Sequence, residues 1–145
     1  MRIAATLCAL LVLIDGSPAR AVSPYNVFFA SGRAKLNHQS GLILDNVAKT
    51  FRIARVRSFD VFGHADRAGS SDHNRWLSRR RAEAVKAALV ARGVPARAIA
   101  VQAVGEARPL VETPDGVAER QNRRVEIIIT CLEPPTEFDY MRCSN

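Results

Sequence analysis

Residues 63–85 read GHADRAGSSDHNRWLSRRRAEAV, with three consecutive arginines at 79–81. The stretch and its continuation have the punctuation of a single helix. Asp72 or Ser71 can cap its start, and Gly93 followed by Pro95 supplies the usual stop. With Leu77 at zero on a wheel of about 100° per residue, Ala84, Ala88 and Val85 gather beside it, and Leu89 lies at the edge. Arg81 falls inside that cluster, at about 40°. Arg80 sits on the flank and Arg79 points nearly opposite. The three differ in kind: Arg79 is a solvated charge, Arg80 a boundary residue, and Arg81 aims at the core.

A guanidinium does not shed its proton, so one that faces a core needs anionic or carbonyl partners. Asp66, on the loop entering the helix, is the nearest carboxylate candidate in sequence. Two readings stay open. Asp66 and Arg81 form a structural ion pair that fastens loop to helix, or they share a ligand pocket. In such a pocket one takes ammonium or amide hydrogens and the other a carboxylate. A site of both signs suits a zwitterion.

Working outward, Asn26–Ala30 is a short apolar strand, and Asn37 can cap a helix to about Arg52. Leu44, Val47, Ala48 and Phe51 there recur at helical spacing. Val56–Phe62 and Ile99–Val104 are further strands, and 105–122 is a long loop with two prolines. Arg123–Thr130 is a last strand with Val125, Ile127 and Ile129 on one face, which turns Glu126 away from it. The order β-α-β-α-β-β predicts an α/β (α+β) two-layer sandwich: a four-stranded mixed sheet with both helices on one face.

The chain has 145 residues, 48% hydrophobic and 6% aromatic, and a formal charge of +7. That is one domain with a largely aliphatic core. Residues 1–21 read as a signal peptide: Arg2, the apolar run Ile3–Ile14, then Pro18-Ala19-Arg20-Ala21 as a small-x-small cleavage site. The run is shorter than the roughly 20 residues that span a bilayer, and a retained anchor is the alternative. A domain over 22–131 and a tail over 132–145 follow. Export places Cys131 and Cys143 in an oxidising compartment, where an even pair predicts a disulfide that ties down the tail; two free thiols are the other reading.

Four blocks carry a resemblance. Val27-Phe28-Phe29, then Gly63-His64-Ala65-Asp66, then Asn74 with Leu77-Ser78 and Arg81-Ala82, and last Asn122-Arg123-Arg124-Val125 stand in the order and spacing of the OmpA-like C-terminal domain family. The resemblance covers about residues 26–130 and implies non-covalent binding of peptidoglycan through the diaminopimelate of its stem peptide. The far end of that amino acid carries an amine and a carboxylate. Similar proteins hold it with residues matching Asp66 and Arg81, helped by positions matching Asn74 and Arg123. The loop backbone of Gly63, His64 and Ala65, with Leu77 beside it, completes the implied site. Ala65 stands where the family has threonine, and His73 where it has tyrosine or another bulky residue.

Other chemistries fit less well. His64, Asp66 and His73 match no strong metal-ligand spacing. Ser70, His64 and Asp72 lack a nucleophile elbow, and Ser70 and Ser71 suit a turn or cap. Arg75, Arg79, Arg80 and Arg92 scatter around their helix rather than lining an edge for nucleic acid. Glu106 and Glu112 read as solvated. The expectation is a periplasmic, stand-alone peptidoglycan binder, associated with the outer membrane or with an envelope protein. It needs no cofactor and no metal, and it is not an enzyme. A periplasmic cell-wall-acting enzyme and a basic surface or nucleic-acid-associated protein are the alternatives.

Overall fold

The computed structural model describes residues 24–132, with strand β1 at Tyr25–Phe28, helix α1 at His38–Ile53 and strand β2 at Val56–His64. Helix α2 at Ser71–Val90, strand β3 at Ile99–Gly105 and strand β4 at Arg124–Leu132 follow, with short 3-10 turns at Ala96–Ala98 and Arg120–Asn122. The strands form one mixed sheet ordered β1-β4-β2-β3. β4 enters between β1 and β2 and is antiparallel to both, while β2 and β3 are parallel across the α2 crossover. The expected architecture is the observed one. The signal segment 1–21, Cys143 and the tail beyond Leu132 lie outside the described residues.

Sequence chemistry explains the element ends. Asn37 caps α1 as predicted, its side chain accepting from the backbone N–H of Ser40 at 2.8 Å within a capping box. α2 is capped by Ser70, one residue earlier than expected, through the N–H of His73 at 3.3 Å. It closes on Gly93, whose φ of 90° favours a residue without Cβ. α1 ends differently. Arg55, just after its cap residue Ala54, has φ 50°, a left-handed conformation that costs a side-chain-bearing residue about 1 kcal/mol.

Alternation along the strands puts Phe59, Val61, Val125 and Ile127 on the helix side, where all four are fully buried with Leu44, Val47, Val85 and Leu89. Each such side chain contributes about 1.5–3 kcal/mol of burial. Gly63 continues the same face. A Cβ there would run into the carbonyl of Ser78, so glycine lets α2 lie directly on the end of β2. Glu126 faces the other side of the sheet, as its parity requires. There it meets the buried His64 ring at 3.6 Å and Arg124 at 2.6 Å.

Candidate functional site

The C-terminal ends of β1 and β2, the start of α2 and the turn entering β4 converge at one pole of the sheet. Arg81 is at the centre, fully buried on α2 as the wheel placed it. Its Nε donates to the Arg33 carbonyl at 2.9 Å, Nη1 to the His64 carbonyl at 2.9 Å, and Nη2 to the Ala30 carbonyl at 3.2 Å. The Phe29 ring lies 5.4 Å from its Cζ. Burial lowers its pKa to about 10, Asp66 working against that shift and Arg123 with it, so the group stays charged at neutral pH.

Asp66 and Arg81 share this neighbourhood without forming the direct ion pair weighed from sequence. Asp66 is 6% exposed, and its Oδ2 accepts from Arg123 Nη1 at 2.9 Å and the Glu119 N–H at 3.2 Å. Arg123 also donates through Nε to the Phe29 carbonyl at 3.2 Å. The reason is geometric. The β1–α1 loop and the end of β2 present three carbonyls to Arg81, whereas Arg123, at the start of β4, arrives beside the carboxylate. Both guanidiniums are thus held by backbone carbonyls, with one carboxylate between them in the electrostatics of the cluster.

The arrangement has unused capacity. A guanidinium carries five N–H groups, and three carbonyls engage only part of Arg81's set. Both protein bonds to Asp66 fall on Oδ2, leaving Oδ1. A hollow of about 330 Å³ is lined by Phe28, Glu119, Arg120 and Gln121, and of these Glu119 also reaches the cluster through its N–H on Asp66. Two cations flanking one anion can take a carboxylate and an amine together.

The remaining predicted residues shape the cleft. Asn74 is buried and donates through Nδ2 to the Gly69 carbonyl at 3.1 Å and to Glu106 Oε2. Its amide nitrogen is committed to the protein and its Oδ1 is not. Leu77 and Ala65 are buried, Ala65 with its N–H on the Gly105 carbonyl at 2.8 Å. His64 contributes its carbonyl to Arg81, while its ring lies on the opposite face of the sheet. Burial, with help from Arg124, lowers that ring's pKa to about 4, against the pull of Glu126.

Two readings change. Glu106, expected in solvent, is tied to Ser71 at 2.7 Å as well as to Asn74, because the loop after β3 folds back over the start of α2; these bonds lower its pKa. Arg80, expected at the boundary, is exposed, with its guanidinium 5.6 Å from the ring of Trp76, which is itself 55% exposed. Sequence reasoning missed the roles of Ala30, Arg33 and Glu119, whose contributions come from main-chain atoms. It also missed Asn122, fully buried, whose side chain binds Leu110 and Val111 and fastens the long loop. An asparagine at the end of a long loop, just before a strand, was the available signal, since its side chain readily bonds nearby backbone. Among the described residues there is no group of metal-ligating side chains, and no helix is long and apolar enough to cross a membrane.

Residues 28–123 match the OmpA family, a span that contains the whole cluster from Phe29 to Arg123. The chain belongs to the OmpA family. Probable lipoprotein YiaD of Escherichia coli is 36% identical over 109 residues, covering 75% of this chain and 50% of that protein. Outer-membrane lipoprotein YfiB of Pseudomonas aeruginosa is 32% identical over 103 residues, covering 71% of this chain and 61% of its own length. The chain therefore spans about half to three-fifths of these curated relatives. The crystal structure of the peptidoglycan-associated lipoprotein from Burkholderia pseudomallei superposes with a TM-score of 0.66 at 27% identity. It covers 72% of this chain and 88% of that one.

Proposed function

We propose that this chain binds peptidoglycan non-covalently in the periplasm, gripping the zwitterionic end of diaminopimelate in the stem peptide. The observation that carries the reading is a fully buried, charged Arg81 whose electrostatic environment includes the carboxylate of Asp66. Asp66 Oδ1 receives the ligand ammonium, and the remaining N–H groups of Arg81 and Arg123 receive its carboxylate. Asn74 Oδ1 and the backbone of residues 63–66 complete the contacts. Family membership and the likeness to a peptidoglycan-associated lipoprotein support the wall as ligand. The site does no chemistry, so wall material leaves unchanged. Residues 1–21 direct export and the domain begins at about residue 22. The names of the relatives support a place at the outer membrane.

Pull-down of the full chain on purified sacculi tests this, with soluble muropeptides assayed in the same tube. Asp66→Asn keeps the shape and the Glu119 contact but removes the charge, and it should lose at least about tenfold in affinity, as expected for a charge-assisted contact. Free diaminopimelate should compete. Sacculi whose stem peptide carries lysine, with the amine but no distal carboxylate, should bind more weakly. Retention of the Asp66→Asn protein at wild-type level would overturn the site, and equal binding to lysine-type walls would overturn the ligand. Release of muropeptides would make the chain an enzyme.

A further inference from the structure

We propose that the pole opposite the cleft docks on a membrane surface rich in anionic phospholipid, with phosphatidylglycerol as its headgroup. The first support is charge. α1 ends with exposed Lys49 and Arg52, Arg55 follows in the turn, β2 opens with Arg57, and Arg97 stands exposed in the 3-10 turn entering β3. Arg92 joins them from just beyond the end of α2, its carbonyl accepting from Arg52 at 3.4 Å. Of these six cations Arg92 is paired, with Asp45 at 2.6 Å. Among the described residues no carboxylate lies within salt-bridge distance of the other five.

Backbone and apolar exposure make a second and third support. Arg55 occupies a left-handed position that glycine would fill at lower cost, so a long basic side chain is held there against local preference. Ile53, between Arg52 and Arg55 in sequence, is 69% exposed, and Val90 at the end of α2 is 41% exposed. Apolar side chains ringed by snorkelling arginines suit the headgroup boundary. A polyanion such as nucleic acid would explain the charge but not Ile53.

Chain direction agrees. β1 runs toward the cleft, and its first residue, Tyr25, bonds Thr50 near the end of α1 at 3.0 Å. β4 ends at this pole, where Leu132 pairs with Val56. The start of β1 and the end of β4 therefore both lie on the basic side, so the chain enters and leaves the domain there. Docked this way, the domain turns its cleft away from the lipid. That orientation rests on the peptidoglycan reading above; the lipid binding does not.

Co-sedimentation of the full chain with vesicles tests it, comparing phosphatidylcholine alone with phosphatidylcholine plus phosphatidylglycerol. The apolar N-terminal run affects both, so the ratio reports charge. Each basic residue near an anionic surface is worth about fivefold, so the combined Arg55→Ser, Arg57→Ser, Arg97→Ser protein should lose up to about a hundredfold of the preference. High salt should remove it in wild type. Arg55→Gly alone should lower the preference while raising the melting temperature by about 3 °C, which separates lipid binding from misfolding. Asp66→Asn should leave the preference unchanged whatever it does to sacculus binding. The proposal fails if Arg75→Ser with Arg79→Ser and Arg80→Ser reduces the ratio as much as the triple change does. It also fails if duplex DNA displaces the chain from vesicles, or if the preference emerges only after removal of residues 133–145.

Discussion

Replacing Arg81 by methionine removes the guanidinium and keeps the volume of most of its stem. Three backbone carbonyls, those of Ala30, Arg33 and His64, then lose their donor. Hydrogen bonds from a charged group are worth about 1.5–3 kcal/mol each, and no longer having to bury a cation returns several kcal/mol. The balance is a loss of about 3 kcal/mol, a large share of the roughly 5–15 kcal/mol that stabilises a domain. With a urea slope of about 1.5 kcal/mol per molar, the unfolding midpoint should fall by about 2 M, with the slope unchanged. Far-UV circular dichroism is the suitable probe, because the one tryptophan is more than half exposed. Arg79→Ala, on the solvent face of the same helix, should stay within about 0.5 kcal/mol of wild type. Equal midpoints for the two variants would refute the assignment of Arg81 as the stitch between the β1–α1 loop and β2. A stable Arg81→Met protein that still lost sacculus binding would leave Arg81 a ligand contact without the structural role.

Gly63→Ala should destabilise by about 2–4 kcal/mol, since its methyl meets the main chain of α2 rather than a side chain that can swing away; thermal melting checks it. Asn122→Ala removes three side-chain hydrogen bonds at a buried position and should cost about 2–3 kcal/mol, with faster amide exchange at Leu110 and Val111. His64 is neutral in the folded state down to about pH 4, while the unfolded chain protonates it below about 6.5, so the unfolded state gains protons first as pH falls. Up to about 3 kcal/mol should be lost across that window, and urea melts of His64→Leu should show a shallower decline there than wild type. Exported protein should carry a Cys131–Cys143 bridge, and alkylation of two thiols without reductant would exclude it.

The sequence made Arg81 legible because helical period is a local property: four residues before it and eight after are enough to say which way it points. Its partners were not legible. Ala30 and Arg33 lie 51 and 48 residues away and act through carbonyls, which every residue possesses. Asp66 and Arg123 are separated by 57 residues, and choosing between Arg81 and Arg123 as the neighbour of Asp66 requires knowing that β4 is inserted beside β2. Strand ends were misjudged by one or two residues where pairing, not pattern, sets them. β2 runs on through Gly63, a weak strand former by composition, because β3 and β4 both pair with it there. Glu106 was misread for a related reason. A charged loop residue reads as solvated until the loop is seen to cross the first turn of α2.

On the proposed function, folding and recognition meet in the same guanidinium. Arg81 is too deeply held to act as a mobile hook, and its three carbonyl bonds fix it before any ligand arrives, so little side-chain entropy remains to be lost on binding. Asp66 is restrained in the same way by Arg123 and the Glu119 N–H. The cleft is thus preorganised by main-chain contacts, which substitutions of neighbouring side chains such as Ala65 or His73 leave in place. Variation at those two positions should tune affinity, whereas a change that moves the β1–α1 loop relative to β2 should abolish binding even with Asp66 and Arg81 both intact. Inserting residues at Gly32, exposed in the turn between Ala30 and Arg33, is such a change. Sacculus binding lost there without loss of folding would place the decisive geometry in the carbonyls; binding retained would place it in the two charged side chains alone.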